Sequence, residues 1–199
     1  MMKNKMIYMR DVLKLIWSFL FFWLYIPHSL AFLLCRGGFI TSDLSRKKRK
    51  VCITMNTLVA LIFFLHTDRY FRSLFYFRIG PMWASLISWI RPGDRYFILS
   101  KTMKVGKELG ALHPYATVLN AASIGNHFTC LNCTTVGSKG TVNKPIIGDN
   151  VTLCANVTII GNVRIGNNVT VGAGSVVVKD IPDNCVVVGN PARIIKFKN

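Results

Sequence analysis

The chain has 199 residues, 51% of them hydrophobic and 17% charged, which excludes disorder because far more apolar surface is present than a solvated chain carries. Its 25 Lys+Arg against 8 Asp+Glu give a net charge of +17, and residues 1–111 hold 18 basic and 5 acidic side chains against 7 and 3 in 112–199. The positive half is also the hydrophobic and aromatic half, so the balance points to an anionic membrane surface rather than to nucleic acid, for which no recognition module is visible.

The first element is Leu15 to Cys35, LIWSFLFFWLYIPHSLAFLLC, 21 residues without a charge. At 1.5 Å per residue a helix of that length covers about 30 Å of hydrocarbon. Lys3, Lys5, Arg10 and Lys14 precede it, and no small-residue cleavage site follows. Pro27 sits near its middle, where a break or kink is predicted. A second uncharged run, Val51 to Thr67, comes after the basic cluster Arg46-Lys47-Lys48-Arg49-Lys50. A two-span hairpin would place that cluster outside, against the positive-inside tendency. The expectation is a re-entrant or in-plane helix pair with the cluster against anionic headgroups, the alternative being two helices buried in a soluble domain or trimer. Residues 69–80, RYFRSLFYFRIG, mix arginines with aromatics, which suits a membrane interface or a helix packed on a neighbouring subunit.

Pro92-Gly93-Asp94 punctuates the chain. Two domains are expected: 1–95, a hydrophobic, basic helical region, and 96–199. From Ile147 onward the sequence divides into hexapeptides, IGDNVT, LCANVT, IIGNVR, IGNNVT, VGAGSV and VVKDIP. Their first positions are all aliphatic: Ile147, Leu153, Ile159, Ile165, Val171 and Val177. Counting back by six, Leu112, Val118, Ile124, Cys130 and Val136 lead fainter repeats, and one repeat carries an insertion, placed at 138–145. Neither a helical period of 3.6 nor a strand period of 2 gives this pattern. A period of six with Gly and Asn at its corners predicts a parallel β-helix of about four coils, Gly and Asn supplying positive φ angles. The fold class expected is therefore a mainly β C-terminal half of hexapeptide repeats with an α-helical, hydrophobic N-terminal half.

Six cysteines without an even framework in a short secreted domain argue for a reducing compartment. Cys130-Leu-Asn-Cys133 has the spacing of half a zinc knuckle, but no second pair follows, and no metal is expected.

The repeats resemble those of the hexapeptide-repeat acyltransferases, and within them serine acetyltransferases and serine-acetyltransferase-like enzymes of surface-polysaccharide pathways. The residues carrying this are His113-Pro114, Thr134-Thr135-Val136-Gly137, Pro145-Ile146-Ile147-Gly148-Asp149-Asn150, and the ending Gly172 to Asp180 with Val188-Gly189-Asn190-Pro191-Ala192-Arg193-Ile194-Ile195. The resemblance implies a left-handed β-helix, a homotrimer, and acetyl transfer from acetyl-CoA to a small hydroxyl acceptor, serine or sugar. It aligns His113 with the family's catalytic His. An alcohol needs a base to remove its proton as it attacks a thioester, and an imidazole titrates near neutral pH. His127 is the second candidate. At the positions where serine acetyltransferases carry an orienting Asp and two further His, this chain has Ile98, Ser100 and Lys144. Glu108 and Asp94 are the nearest acidic candidates to orient His113. For acetyl-CoA the resemblance carries over Gly137, Ser138, Ala155 and Ala173, with Lys179, Arg193, Lys196 and Lys198 as cations for the phosphates.

The function expected is an acetyl-CoA-dependent O-acetyltransferase resembling serine acetyltransferase. It acts in the cytoplasm at the membrane face, because the donor is cytosolic. The alternatives are O-acetylation of a sugar in surface-polysaccharide synthesis, which the hydrophobic N-terminal half favours, or a non-catalytic trimeric β-helix scaffold.

Overall fold

A computed structural model describes residues 2–35, 38–51, 53–138, 140 and 143–198, for residues 2–6 the backbone alone. Cys52 and, within the expected insertion, Lys139, Thr141 and Val142 lie outside the described residues. The chain forms two compact units, 1–94 and 95–199.

The first unit is helical: α1 (Met2–Leu20), a 3-10 turn (Phe22–Tyr25), α2 (Ile26–Leu34), α3 (Gly38–Lys48), α4 (Thr57–Thr67) and α5 (Arg69–Ile87). The first apolar run does break, but at Phe21 rather than at Pro27, and the two helices meet at 76°. Pro27 lies in the first turn of α2, where its missing N–H has no helical acceptor to lose. The outer faces of this bent pair stay exposed: Met9, Leu13, Ile16 and Leu20 on α1, and Ile26, Leu30, Leu33 and Leu34 on α2. No single helix among the described residues is long and apolar enough to cross a membrane, whereas the bent pair is by length and composition.

The second apolar run has the opposite fate. Asn56 caps α4 by accepting from Val59 N–H at 2.9 Å, and the helix buries Ala60, Leu61, Phe63, Phe64 and Leu65 as the core of the unit. Residues 69–80 contribute to the core as well: Phe71, Leu74, Phe75, Tyr76 and Ile79 of α5 are buried, while Arg69 is exposed and Tyr70 and Phe77 are half-buried. Arg78 Nε donates to Asp43 Oδ2 at 2.9 Å, with both side chains buried. The basic cluster begins in the last turn of α3, where positive charge meets the helix's negative end. Within it, Lys47 turns inward to Asp68 and stands 5.9 Å from the Phe64 and Phe71 rings.

The second unit is a parallel β-solenoid of five turns. They are β1 (Phe97–Leu99), β2 (Lys104–Val105) and β3 (Gly110–Ala111); β4 (Thr117–Leu119), β5 (Ser123–Ile124) and β6 (Thr129–Cys130); β7 (Thr135–Gly137), β8 (Ile146–Ile147) and β9 (Thr152–Leu153); β10 (Thr158–Ile160), β11 (Arg164–Ile165) and β12 (Thr170–Val171); and β13 (Val176–Val177) with β14 (Cys185–Val188). The expected four coils become five because winding starts at Phe97, ahead of Leu112. Equivalent strands stack into three sheets, β1-β4-β7-β10-β13, β2-β5-β8-β11 and β3-β6-β9-β12-β14. A last strand, β15 (Arg193–Phe197), runs antiparallel against β14.

All six first-position residues from Ile147 to Val177 point inward and are buried. Upstream, the inward residues are Ala111 and Leu119, paired with Cys130 and Val136, and not Leu112 and Val118. The corners take their positive φ from Asn150, Asn156, Asn168 and Asn184, at 55–59°. The glycines after Ile124, Ile147 and Ile165 serve another purpose. A Cβ on Gly148 would lie 2.9 Å from the Gly166 carbonyl carbon, so adjacent turns are too close for a side chain.

Candidate functional site

Three ridges run along the solenoid where its sheets meet. On the ridge between the second and third sheets, Glu108, His127, Asn150, Asn168 and Asn184 stack, each left-handed. On the ridge between the third and first sheets, the left-handed positions are Ala116, Cys133, Asn156 and Gly174. His113 (φ 49°) belongs to neither stack, and among the described residues it is the one left-handed non-glycine that does not.

The cause is a longer corner. Ala111 and Leu119 stand eight residues apart, whereas their partners Cys130 and Val136 stand six apart. Two extra residues therefore push the segment 112–116 out of the coil, and His113 is exposed on it. His is one of the few residue types that tolerate this backbone region, at a cost of about 1–2 kcal/mol. The protrusion is braced: Tyr115 N–H donates to the His113 carbonyl at 2.7 Å, Cys133 N–H donates to the Tyr115 carbonyl at 2.8 Å, and Pro114 is buried. Beside it, the Tyr96 and Tyr115 rings pair at 5.2 Å and 54° while staying 56% and 49% exposed.

Ala155 and Ala173 lie on the same ridge as His113, each just before a left-handed residue. Gly137 and Ser138 lie on the opposite edge of the first sheet, where the insertion leaves the coil, and Lys179 follows β13 on that edge. The predicted residues thus flank the first sheet from both sides. Packing does not require glycine at 137, since a Cβ there would meet only Ile160 Cδ1 at an ordinary 3.5 Å. Arg193 pairs with Val188 on β15 and is exposed. Neither Lys179 nor Arg193 is in an ion pair among the described residues. Lys198, by contrast, is tied down: Nζ donates to the Asn168 carbonyl at 2.8 Å and to Thr170 Oγ1 at 2.9 Å, so it holds the last strand rather than standing free.

Two expected partners of His113 are engaged elsewhere. Glu108 Oε2 meets His127 Nδ1 at 3.3 Å, and Asp94 accepts from Arg69 Nε at 2.8 Å. Among the described residues no side chain hydrogen-bonds the His113 ring. Ile98 faces outward from the first sheet, paired with Val118. Lys144 donates to Thr102 Oγ1 at 2.9 Å, and Ser100 lies 3.2 Å from the same hydroxyl. One exposed cluster therefore collects both positions where serine acetyltransferases carry their other His. Sequence reasoning missed Thr102 and the Tyr96–Tyr115 pair. The available signal for the tyrosines was the excess length of LHPYATV over one repeat.

The bacterial transferase hexapeptide (six repeats) family matches residues 144–179. A putative colanic acid biosynthesis acetyltransferase, WcaB, of Escherichia coli (strain K12) is 46% identical over 97 residues, covering 47% of this chain and 60% of the relative. The chain thus spans less than two thirds of this curated relative. Among solved structures, the serine acetyltransferase of Neisseria gonorrhoeae superposes with a TM-score of 0.68 at 25% identity, covering 87% of this chain and 70% of that one. Soybean serine acetyltransferase complexed with serine gives a TM-score of 0.64 at 29% identity, covering 79% and 68%.

Proposed function

We propose that this chain, which belongs to the hexapeptide-repeat acyltransferases and is related to their serine-acetyltransferase-like members, transfers acetyl from acetyl-CoA to a sugar hydroxyl in surface-polysaccharide synthesis. The observation that carries the choice of acceptor is the half-exposed Tyr96–Tyr115 pair next to His113. A pyranose presents an apolar face of C–H groups that packs on aromatic rings, whereas serine has no such face. Two further facts support a sugar: the higher identity to a colanic acid acetyltransferase, and Ile98, Ser100 and Lys144 where serine acetyltransferases carry Asp and His.

In this reading neutral His113 takes the proton of the acceptor hydroxyl as that oxygen attacks the thioester carbonyl. The tetrahedral intermediate collapses with loss of the CoA thiolate, and the imidazolium returns its proton to that sulfur. Gly137, where packing leaves room for a Cβ, and the small side chains of Ala155 and Ala173 suit the pantetheine arm, and Lys179 and Arg193 suit the phosphates. The chain acts as a homotrimer, in which a neighbouring copy supplies the missing partner of the His113 ring. Acetyl transfer is assigned to residues 96–199. Residues 1–95 hold the protein at the cytoplasmic face of the membrane, through the exposed apolar faces of α1 and α2 and the surplus positive charge.

The test is thiol release from acetyl-CoA with serine and with a panel of sugars, for the full chain and for His113→Ala. Turnover on a sugar that the substitution abolishes supports the reading, and turnover on serine alone replaces the acceptor. A chain that acetyl-CoA does not stabilise against heat is a scaffold.

A further inference from the structure

Beneath the bend between α1 and α2 lies a polar cluster inside the helical unit. The Trp17 ring stacks on Phe21 and Phe21 on His66, both at 5.8 Å, and behind them stand Tyr25, His28, Arg72, Tyr76 and Arg91. Arg72 Nη1 donates to the carbonyls of Leu65 at 2.7 Å and His66 at 3.3 Å, and its Nε to the Pro92 carbonyl at 2.9 Å. Arg91 Nη2 donates to the same His66 carbonyl at 3.1 Å. Two guanidiniums therefore meet at the C-terminal end of α4, whose dipole supplies only about half a negative charge.

No carboxylate among the described residues hydrogen-bonds either guanidinium, and Asp68 acts on Arg72 only at a distance, as the smallest of the influences on it. The four acidic residues of 1–94 are bonded elsewhere: Asp11 to Arg10, Asp43 to Arg78, Asp68 to Lys47 and Asp94 to Arg69. The other polar groups are neutral. Tyr76 donates its proton to the Arg91 carbonyl at 2.6 Å, so its oxygen accepts from His28 Nε2–H at 2.9 Å. Arg91 Nε is buried without a partner, and Arg72 Nη2 has none among the described residues. An unpaired buried N–H costs about 1–3 kcal/mol, and an unneutralised buried charge costs more. Both arginines remain partly exposed, but Arg91 Nε itself is closed to solvent, so an anion reaches that N–H only when the side chains around it shift. Burial and the Arg91 charge also push the Arg72 guanidinium below its usual value.

We propose that Arg72 and Arg91 form a phosphate-binding site, whose ligand is a phosphate or diphosphate group with oxygens accepting from Arg91 Nε–H and Arg72 Nη2–H. The group belongs either to a lipid headgroup or to a soluble phosphate compound. The site stands independently of acetyl transfer and is tested without it.

Binding of inorganic pyrophosphate to the full chain is measured by titration calorimetry, against chloride at matched ionic strength. In parallel, phosphatidylcholine vesicles doped with phosphatidic acid are compared with vesicles doped with phosphatidylserine. Arg91→Gln weakens binding by about tenfold or more, the loss expected for charge-assisted hydrogen bonds. In chloride the same variant melts no lower than wild type, because it removes an unneutralised charge. Arg72→Lys, which keeps the charge and loses the fork, binds with intermediate affinity. Pyrophosphate binding assigns a soluble ligand, and a preference for phosphatidic acid alone assigns a headgroup. Equal affinity of wild type and Arg91→Gln overturns the site. So does the absence of any preference for phosphate over chloride and phosphatidylserine, and so does an Arg91→Gln melting temperature well below wild type in chloride, which makes the guanidinium a helix cap.

Discussion

Glu108 Oε2 lies 3.3 Å from His127 Nδ1, on successive turns of one ridge. That contact separates the two solenoid histidines. His127 occupies a left-handed corner position that Asn150, Asn168 and Asn184 fill on later turns. His127→Asn therefore keeps both fold and acetyl transfer. His113→Asn lowers kcat by about 10²–10⁴-fold, the usual contribution of a general base. His113→Gly is equally inactive and melts no lower than wild type, since glycine adopts φ 49° without strain. Thiol-release kinetics and melting curves on the three variants decide it.

Glycine substitutions distinguish packing from ligand space. Gly148→Ala forces a Cβ to 2.9 Å from the Gly166 carbonyl carbon and destabilises the solenoid by about 1–3 kcal/mol. Gly137→Ala changes stability by less than about 0.5 kcal/mol and raises KM for acetyl-CoA. Urea denaturation and steady-state kinetics measure the two effects; a Gly137→Ala enzyme with unchanged KM removes this residue from the cofactor site.

His28 is fully buried, and burial lowers its pKa from 6.5 to about 4. The folded chain then binds fewer protons at this site than the unfolded chain between those two values. Stability from this group is complete above pH 6.5 and is lost as pH falls toward 4. Melting temperature measured from pH 7.5 to pH 4 declines over that window, and His28→Gln, which keeps a donor for Tyr76, flattens the decline.

Replacing Leu13, Ile16 and Trp17 together by Ser leaves the core of the helical unit intact, because all three side chains are more than half exposed. On the membrane reading, co-sedimentation with anionic vesicles falls by about a hundredfold or more, given about 1.5–3 kcal/mol for each large apolar side chain buried. Unchanged co-sedimentation, accompanied by a shift from oligomer to monomer on gel filtration, assigns the face to a second copy instead.

The solenoid was legible from Ile147 to Val177 because each inward position there recurs at six without exception, and each is buried. Upstream, counting by six reached Ile124 correctly and then missed by one residue. Leu119 to Ile124 is one residue short of a repeat, while Ala111 to Leu119 is two too long. A residue count sees only their partial cancellation and reads Val118 and Leu112 as inward. The same excess moves His113 off the corner stack, so the error and the candidate site share one cause. In the helical unit, two uncharged runs of similar character were assigned different surroundings by packing: α4 became core, and α1 packs one face on it and leaves the other exposed. Hydropathy alone is blind to that choice. The Tyr96–Tyr115 pair was illegible because its two members come from successive turns, nineteen residues apart.

β15 folds back antiparallel on β14 and covers the last free strand edge of the third sheet, which an additional parallel turn would otherwise use. Lengthening the protein by whole turns is consequently an internal operation, confined to the run between β8 and β13 where the six-residue spacing is unbroken. A duplicated segment of eighteen residues inserted there leaves the His113 corner and the closing hairpin as they are. Along a lineage, total height can vary in steps of one turn while the two ends stay fixed.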